Sequence, residues 1–328
     1  MFLFWSGGRK RLPLLFTNRD LKKFIENKVN VDSEKVKKYR KQVNNLRDNL
    51  TDYIKENPDF GLVKMLHSGS VRKGTAISTL NDMDVAVYVK PEKIENYTEE
   101  QVLSYIKDGL VKVYKRHNMT EDQFSLGKHC LKVSFKGSGL DVDVVPVIPT
   151  GAPNDMGHLI AQDTGERVLT SIPLHLSFIQ SRKASNPNYA TMVRITKWWR
   201  NKNEFKMKSF LIEMIWAHIA DTEGISDDIV TALQQFFRYI VNTELKDPIV
   251  FEDNYKKSEV ILVEGEVNIF DPVNPENNLG YSLDYTKLER ILDEADEALG
   301  YLSLAMQAST KNVAEASLKQ IFGSSFSL

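Results

Sequence analysis

The chain is poor in cysteine: Cys130 stands alone among 328 residues. A single thiol excludes an intramolecular disulfide and a cysteine-built zinc centre, and it fits the reducing cytoplasm. Long hydrophobic runs are missing as well. No segment approaches the ~20 consecutive apolar residues that a membrane-spanning helix needs. The opening MFLFWSGGRKRLPLLF starts apolar and then turns basic, the reverse of a secretory signal, and carries no small-residue cleavage site. Residues 1–16 are therefore expected to form an extension that is poorly ordered or docks locally. Nor does either sign of charge dominate: 43 basic and 44 acidic residues leave a formal net charge of −1. With no global field to attract nucleic acid or an anionic membrane, such a contact has to come from a local patch. Internal repeats and low-complexity linkers are also absent, so closely packed lobes are expected rather than lobes on a tether.

What is present is an apolar fraction of 42% in a chain long enough for two packed lobes. In VDSEKVKKYRKQVNNLRDNLTDYIKENPDF, the spacing of Val36, Tyr39, Val43, Leu46, Leu50 and Tyr53 predicts a long helix with one apolar stripe. Asp32 or Ser33 caps it, and it stops before Pro58. Its basic first half (Lys35, Lys37, Lys38, Arg40, Lys41) is interleaved with acids and reads as a solvated face. The functional alternative is a nucleic-acid surface, marked by affinity that falls with salt. Between residues 60 and 150, β-rich runs (GLVKMLHS, DMDVAVYVK, KHCLKVSFKG, GLDVDVVPVIP) alternate with helical stretches near 70–77 and 98–116. That pattern predicts an α+β or α/β lobe with a mixed sheet. A hairpin is expected around Asp163-Thr164-Gly165. From Pro173 onward the chain reads as mostly helical, with Pro173 and Pro187 each opening a helix. Trp198 and Trp199 read as core and lobe interface.

The chemistry starts at HSGSVRKGTAISTLNDMDVAVYVK. Side chains two apart on a strand share a face, so Asp82 and Asp84 project together. Carboxylates that close resist joint ionisation unless a cation lies between them. Mg²⁺ suits them, because it takes a few carboxylates together with water and phosphate oxygens. In GLDVDVVPV, Asp141 and Asp143 also share a face. If that strand lies beside the first, a third carboxylate joins the patch. Such a patch suits two metal ions ~3.5–4 Å apart and in-line nucleotidyl transfer. Upstream, Gly69 allows backbone to approach a ligand closely, and free N–H groups with the Ser70 hydroxyl suit triphosphate oxygens. The stretch is not a Walker loop, since no GK[ST] follows.

With these residues the sequence resembles the polymerase-β-like nucleotidyltransferase superfamily. More narrowly, it resembles the bacterial cGAS/DncV-like nucleotidyltransferases (CD-NTases) over about residues 17–328. HSGSVRKGTAISTLNDMDVAVYV, GSGLDVDVVPV, SIPLHLSFI, KSFLIE, FEDNY, DPVNPENN and IFGSSF look most like clade C, whose members are encoded with HORMA-domain and AAA-ATPase partners. The resemblance implies a bilobed α+β fold: a nucleotidyltransferase core over residues 17–165 and a helical lobe over 166–328 that closes the nucleotide cleft. It implies Asp82, Asp84 and Asp143 as the catalytic metal-binding triad, with Asp141 as runner-up. The ions would be two Mg²⁺, with Mn²⁺ as a substitute. Gly69 and Ser70 match the donor-triphosphate signature. Lys197, Lys208 and Ser209 match helical-lobe positions that reach phosphates, and Phe210 matches an aromatic set against a base. The plainer alternative for both lysines is a stem lying on a helix surface. Asp271 and Asn278 fall in a loop near the nucleotide. The implied activity is synthesis of a cyclic oligonucleotide second messenger from ATP and other NTPs in cytoplasmic anti-phage (CBASS) signalling. Adenine and cyclic tri-AMP are favoured, and a double-stranded DNA contact is a further expectation.

Rival readings exist in two classes. One is a linear oligoadenylate synthetase or an RNA-tailing enzyme built on the same site. Tailing enzymes usually carry an RNA-binding module and a strongly basic surface, and neither is evident. The other is an inactive scaffold, a type that typically loses triad carboxylates; here all three are present.

Overall fold

The computed structural model describes residues 14–127, 130–160 and 167–328. Residues 1–13 and the turn Asp163-Thr164-Gly165 lie outside the described residues. After α1 (Asn18–Phe24) and a turn of π-helix (Ile25–Val29) comes the long helix α2 (Ser33–Glu56). Asp32 caps α2 by accepting the Lys35 amide at 2.7 Å, and the stripe Tyr39, Val43, Leu46 and Leu50 is buried.

Helix α2 lies across a sheet made of β1 (Leu62–His67), β2 (Asp82–Val89), β3 (Phe124–Leu126), β4 (Leu131–Phe135), β5 (Leu140–Pro149), β6 (Gly157–Ile160) and β7 (Arg167–Thr170). The strand order is β1-β2-β5-β4-β3, with β6 pairing β5 and β7 pairing β6. Strands β2 and β5 run parallel, whereas the neighbouring pairs run antiparallel. The alternation in DMDVAVYV is what gives the sheet two faces. Met83, Val85, Val87 and Val89 join the core beneath α2 and α4 (Glu99–Lys115), while Ala86 and Tyr88 belong to a smaller cluster on the other face. Asp82 and Asp84 share that second face. Between β1 and β2 the chain makes a short helix, α3 (Gly69–Lys73).

The helical lobe comprises α5 (Ile172–Ser185), α6 (Tyr189–Lys202), α7 (Ser209–Thr222), α8 (Ile229–Thr243), α9 (Tyr285–Met306) and α10 (Lys311–Phe322). Ser171 caps α5, which moves Pro173 to its second position, and Asn188 caps α6, which leaves Pro187 just outside. Proline is harmless at both, because neither place uses its missing N–H. Trp199 is 1% exposed and packs on Phe205 and Phe237, while the Trp198 indole donates to the Phe322 carbonyl at 2.9 Å.

One feature differs from expectation. Residues Phe16, Leu21, Phe24, Ile25 and Val29 pack in the helical lobe's cluster, not in the sheet's, because Phe24 meets Trp198, Phe322 and Phe326. By packing, the first helix sits with the lobe to which the expected boundary at residue 166 did not assign it. The stretch between α8 and α9 is mostly irregular, and the DPVNPENN segment expected to form a loop lies within it. There Asn268, Asp271, Asn274 and Asn278 are buried and bond the loop's own backbone, the turn chemistry of Asx side chains. Among the described residues no helix is long and apolar enough to cross a membrane.

Candidate active site

The parallel pairing sets Asp82 opposite Asp141 and Asp84 opposite Asp143. Partners in register project to the same side, so four carboxylates share the face away from the main core. They are not equivalent. Asp141 accepts from the Ser134 hydroxyl at 2.7 Å and the Lys132 ammonium at 3.2 Å, and the Ser134 bond foremost holds its carboxyl below the usual range. Among the described residues no hydrogen-bond partner reaches the buried Asp143 Oδ1. Burial pushes the Asp143 carboxyl up, against the pull of Lys132 and with the push of Asp82. Asp84 still reaches solvent through the cleft, yet the protein massed around it strips its hydration. That, with the charges of Asp82 and Asp143, pushes its pKa up to about 6.

An orphaned buried carboxylate oxygen beside a carboxylate raised by its neighbours fits a hard cation. Among the described residues no three Asp, Glu, His or Cys side chains already converge at ligand spacing. Substrate oxygens and water would have to complete the shell, as they do around Mg²⁺.

Backbone closes in from the other side. Gly69 opens α3 at φ +67°, and a Cβ there would lie 1.9 Å from Asp84 Oδ2. Only glycine lets the chain come this near the carboxylate. Ser68 and Gly69 line a cavity of about 380 Å³ together with Lys73 and Asp84, and its far wall is apolar (Val145, Leu159, Val168, Leu169). Ser70 is half-buried and does not line it. A larger cavity of about 610 Å³, lined by Arg40, Arg47 and Arg72, contains none of Asp82, Asp84, Asp141 and Asp143. The chemistry belongs to the smaller one, where backbone and carboxylate meet.

The helical-lobe candidates divide. Phe210 lines the cavity, but the Lys73 ammonium stands 4.5 Å over its ring, so that face is not free for a base. Lys197 neither lies along a helix surface nor reaches the cavity. It is 3% exposed and donates to Glu213 Oε1 at 2.7 Å and Thr75 Oγ1 at 3.1 Å. Glu213 also takes Lys73 at 2.9 Å and the Thr75 hydroxyl at 2.8 Å. Burial alone would raise the Glu213 carboxyl, yet Lys197 and Lys73 hold it well below the usual range. Lys208 lies in a separate cavity with Arg200 and Tyr281, and the Ser209 hydroxyl accepts from Arg200 at 3.1 Å. Asn278 is spent on its own loop: Oδ1 accepts the Ile269 and Gly280 amides and Nδ2 donates to the Val267 carbonyl. Asp271 is 4% exposed and borders the cavity, where it holds His175 and Asn277. Lys73, Thr75, His175, Glu213 and Asn277 went unnamed as site residues in the sequence reading. No pattern marks them, because Lys73 and Thr75 gain their meaning from Glu213 across the lobes, and His175 and Asn277 from meeting at Asp271.

Residues 16–162 match the family described as the Second Messenger Oligonucleotide or Dinucleotide Synthetase domain. Over 319 residues, 94% of this chain and 97% of the relative, the sequence is 40% identical to a cyclic AMP-AMP-AMP synthase of Escherichia coli strain MS 115-1. The chain belongs to the CD-NTase family. This CD-NTase superposes on the structure of E. coli MS115-1 CdnC with ATP at a TM-score of 0.91 and 39% identity, covering 95% of this chain and 99% of that one. The CdnC:HORMA-deltaN complex matches at a TM-score of 0.89 and 38% identity, over 95% and 98%. The chain is thus a nucleotidyltransferase with an α+β, DncV/cGAS-like fold over nearly its whole length.

Proposed function

We propose that this enzyme joins nucleoside triphosphates into a cyclic oligonucleotide, with release of pyrophosphate. The favoured product is cyclic tri-AMP, made in the cytoplasm as a CBASS signal. One observation carries the transfer chemistry: Asp84 and Asp143 pair across parallel strands, Asp143 with a buried oxygen unpartnered among the described residues and Asp84 against the Gly69 turn. The adenine product rests on 40% identity to the cyclic AMP-AMP-AMP synthase.

In this reading Asp82 and Asp84 hold the donor end of the site and Asp143 the attacking ribose hydroxyl. Mg²⁺ at these carboxylates supplies charge neutralisation for the triphosphate and acidifies that hydroxyl. Gly69 brings backbone against the phosphates, and Lys73, fixed by Glu213, places a positive charge at the cavity wall. The chain's own share is positioning and preorganised electrostatics. The linear intermediate then has to move so that its own triphosphate becomes the donor for ring closure.

A HORMA-domain activator, regulated by an AAA-ATPase, is the proposed protein partner; the related CdnC forms a complex with HORMA. Double-stranded DNA is proposed for the basic first half of α2 (Lys35, Lys37, Lys38, Arg40 and Lys41), and affinity independent of salt would reject it. The test of function incubates the enzyme and its activator with Mg²⁺ and all four NTPs, then maps product by mass and phosphatase treatment. A phosphatase-resistant ring is expected, lost in Asp143→Asn and retained in Asp141→Asn. Only phosphatase-sensitive products would leave the linear synthetase standing, and full activity in Asp143→Asn would sink the site.

A further inference from the structure

An apolar wall holds a flat base but barely distinguishes one base from another; that takes fixed hydrogen-bonding groups. Beyond the phosphate end, the polar side chains at the cavity are Thr170, His175, Asp271 and Asn277. Asp271 is consumed by the protein. Its Oδ1 accepts His175 Nε2 at 2.7 Å and the Val273 amide at 2.8 Å, and its Oδ2 accepts Asn277 Nδ2 at 3.1 Å. His175 is spent as well, with its other nitrogen 3.5 Å from Thr170 Oγ1 and its ring edge-on to Phe210.

These bonds dictate which way the Asn277 amide faces. An ionised carboxylate only accepts, so Asn277 has to give it the NH₂ group, and the carbonyl oxygen is then aimed elsewhere. Lowering of the Asp271 carboxyl, burial opposing and His175 foremost among the groups favouring its charge, keeps it ionised. Backbone bonds hold the residue in place: its N–H donates to the Asn274 carbonyl at 3.2 Å and its carbonyl accepts the Asp271 amide at 3.0 Å. Asn277 is half-buried, and among the described residues no hydrogen bond takes its Oδ1.

We infer that Asn277 is the base-reading residue of the substrate site proposed above, its Oδ1 a fixed acceptor that selects a nucleobase with an amine at the position where guanine and uracil carry a carbonyl oxygen, that is, the 6-amine of adenine or the 4-amine of cytosine. Adenine puts an N–H donor where guanine puts a carbonyl oxygen, and an acceptor locked by Asp271 cannot turn to suit both. Asp271 acts through Asn277 and is a positioning residue.

The test measures equilibrium binding of α,β-methylene triphosphates, which cannot be transferred, to the full chain with Mg²⁺. The ligands are those of adenosine, guanosine and purine riboside, the last being adenosine without its amine. The wild type is expected to prefer the adenosine compound by about 10–100-fold over both others. Asn277→Leu should bring all three to nearly equal strength while leaving purine riboside binding where it was, which also shows that the site is still folded. Asn277→Ala gives the same reading should Leu not fit. A wild type without preference, or a variant that keeps it, would overturn the assignment. Because nothing is turned over, a finding that the products are linear would refute the cyclisation reading and leave this one standing.

Discussion

Asp84 is where the geometry of the site becomes a free energy. Its pKa of about 6 means the folded protein favours the protonated acid. The group therefore favours folding below the ordinary carboxylate range, and that contribution is lost as pH rises through about 6. Above that, the repulsion stays in the native state until a cation relieves it. Asp84→Asn should abolish transfer and yet raise the melting temperature in chelator at pH 7.5. The gap should close toward pH 4.5, and Mg²⁺ should stabilise only the wild type; a variant no more stable at pH 7.5 would contradict the repulsion argument. The shared face of Asp82 and Asp84 was legible, because strand alternation puts them together from sequence alone. Choosing Asp143 over Asp141 by chemistry was not, since Ser134 and Lys132, which claim Asp141, come from β4 and its register. Asn278 shows the same limit. The sequence marked a loop that borders the cavity, but the asparagine there is its neighbour Asn277, and only the loop's internal bonds separate them.

The turn between β1 and α3 is the element that joins backbone to carboxylate. Ser68 donates its amide to the Asp84 carbonyl at 3.0 Å, and Gly69 follows with positive φ and no room for a side chain. In Gly69→Ala, the methyl would meet Asp84 at the wrong side of contact distance while the backbone is strained by ~1–3 kcal/mol. Expected is a loss of transfer of about 100-fold or more, with a melting temperature lowered by only a few degrees. Wild-type activity in this variant would mean that the turn does not approach the phosphates. Elements with strong periodicity, such as α2 and β2, could be read from the chain because each buries one face. Strand β3 could not: it has three residues and pairs only with β4. The irregular stretch before α9 has no period at all, since buried Asn and Asp side chains rather than a ladder satisfy its backbone.

The whole molecule depends on how the lobes are fastened, because each has its own apolar cluster. Around α3 the fastening is polar. Lys183 donates to the Lys73 carbonyl at 3.2 Å, Arg194 to the Gly74 carbonyl at 2.8 Å, and Lys197 and Glu213 meet at Thr75. The helical lobe thus grips the end of the helix whose start faces the aspartates, and Glu213 sits at the centre of that grip. Its charge is favoured by two lysines, so this contribution is present above the ordinary glutamate range and is lost only as pH falls below it. Removing the charge should leave Lys197, 3% exposed, buried without its counterion. Breaking one side of such a pair costs about 3–5 kcal/mol, so Glu213→Gln should melt roughly 10 °C lower. It should also raise KM for the triphosphate, because Lys73 loses its anchor, while base preference stays unchanged. Adding Lys197→Met removes the stranded charge and should recover part of the stability but not the KM, since Lys73 remains unanchored. Recovery of both would place Lys73 outside the donor site. Recovery of neither would show that the stranded Lys197 charge is not the source of the lost stability.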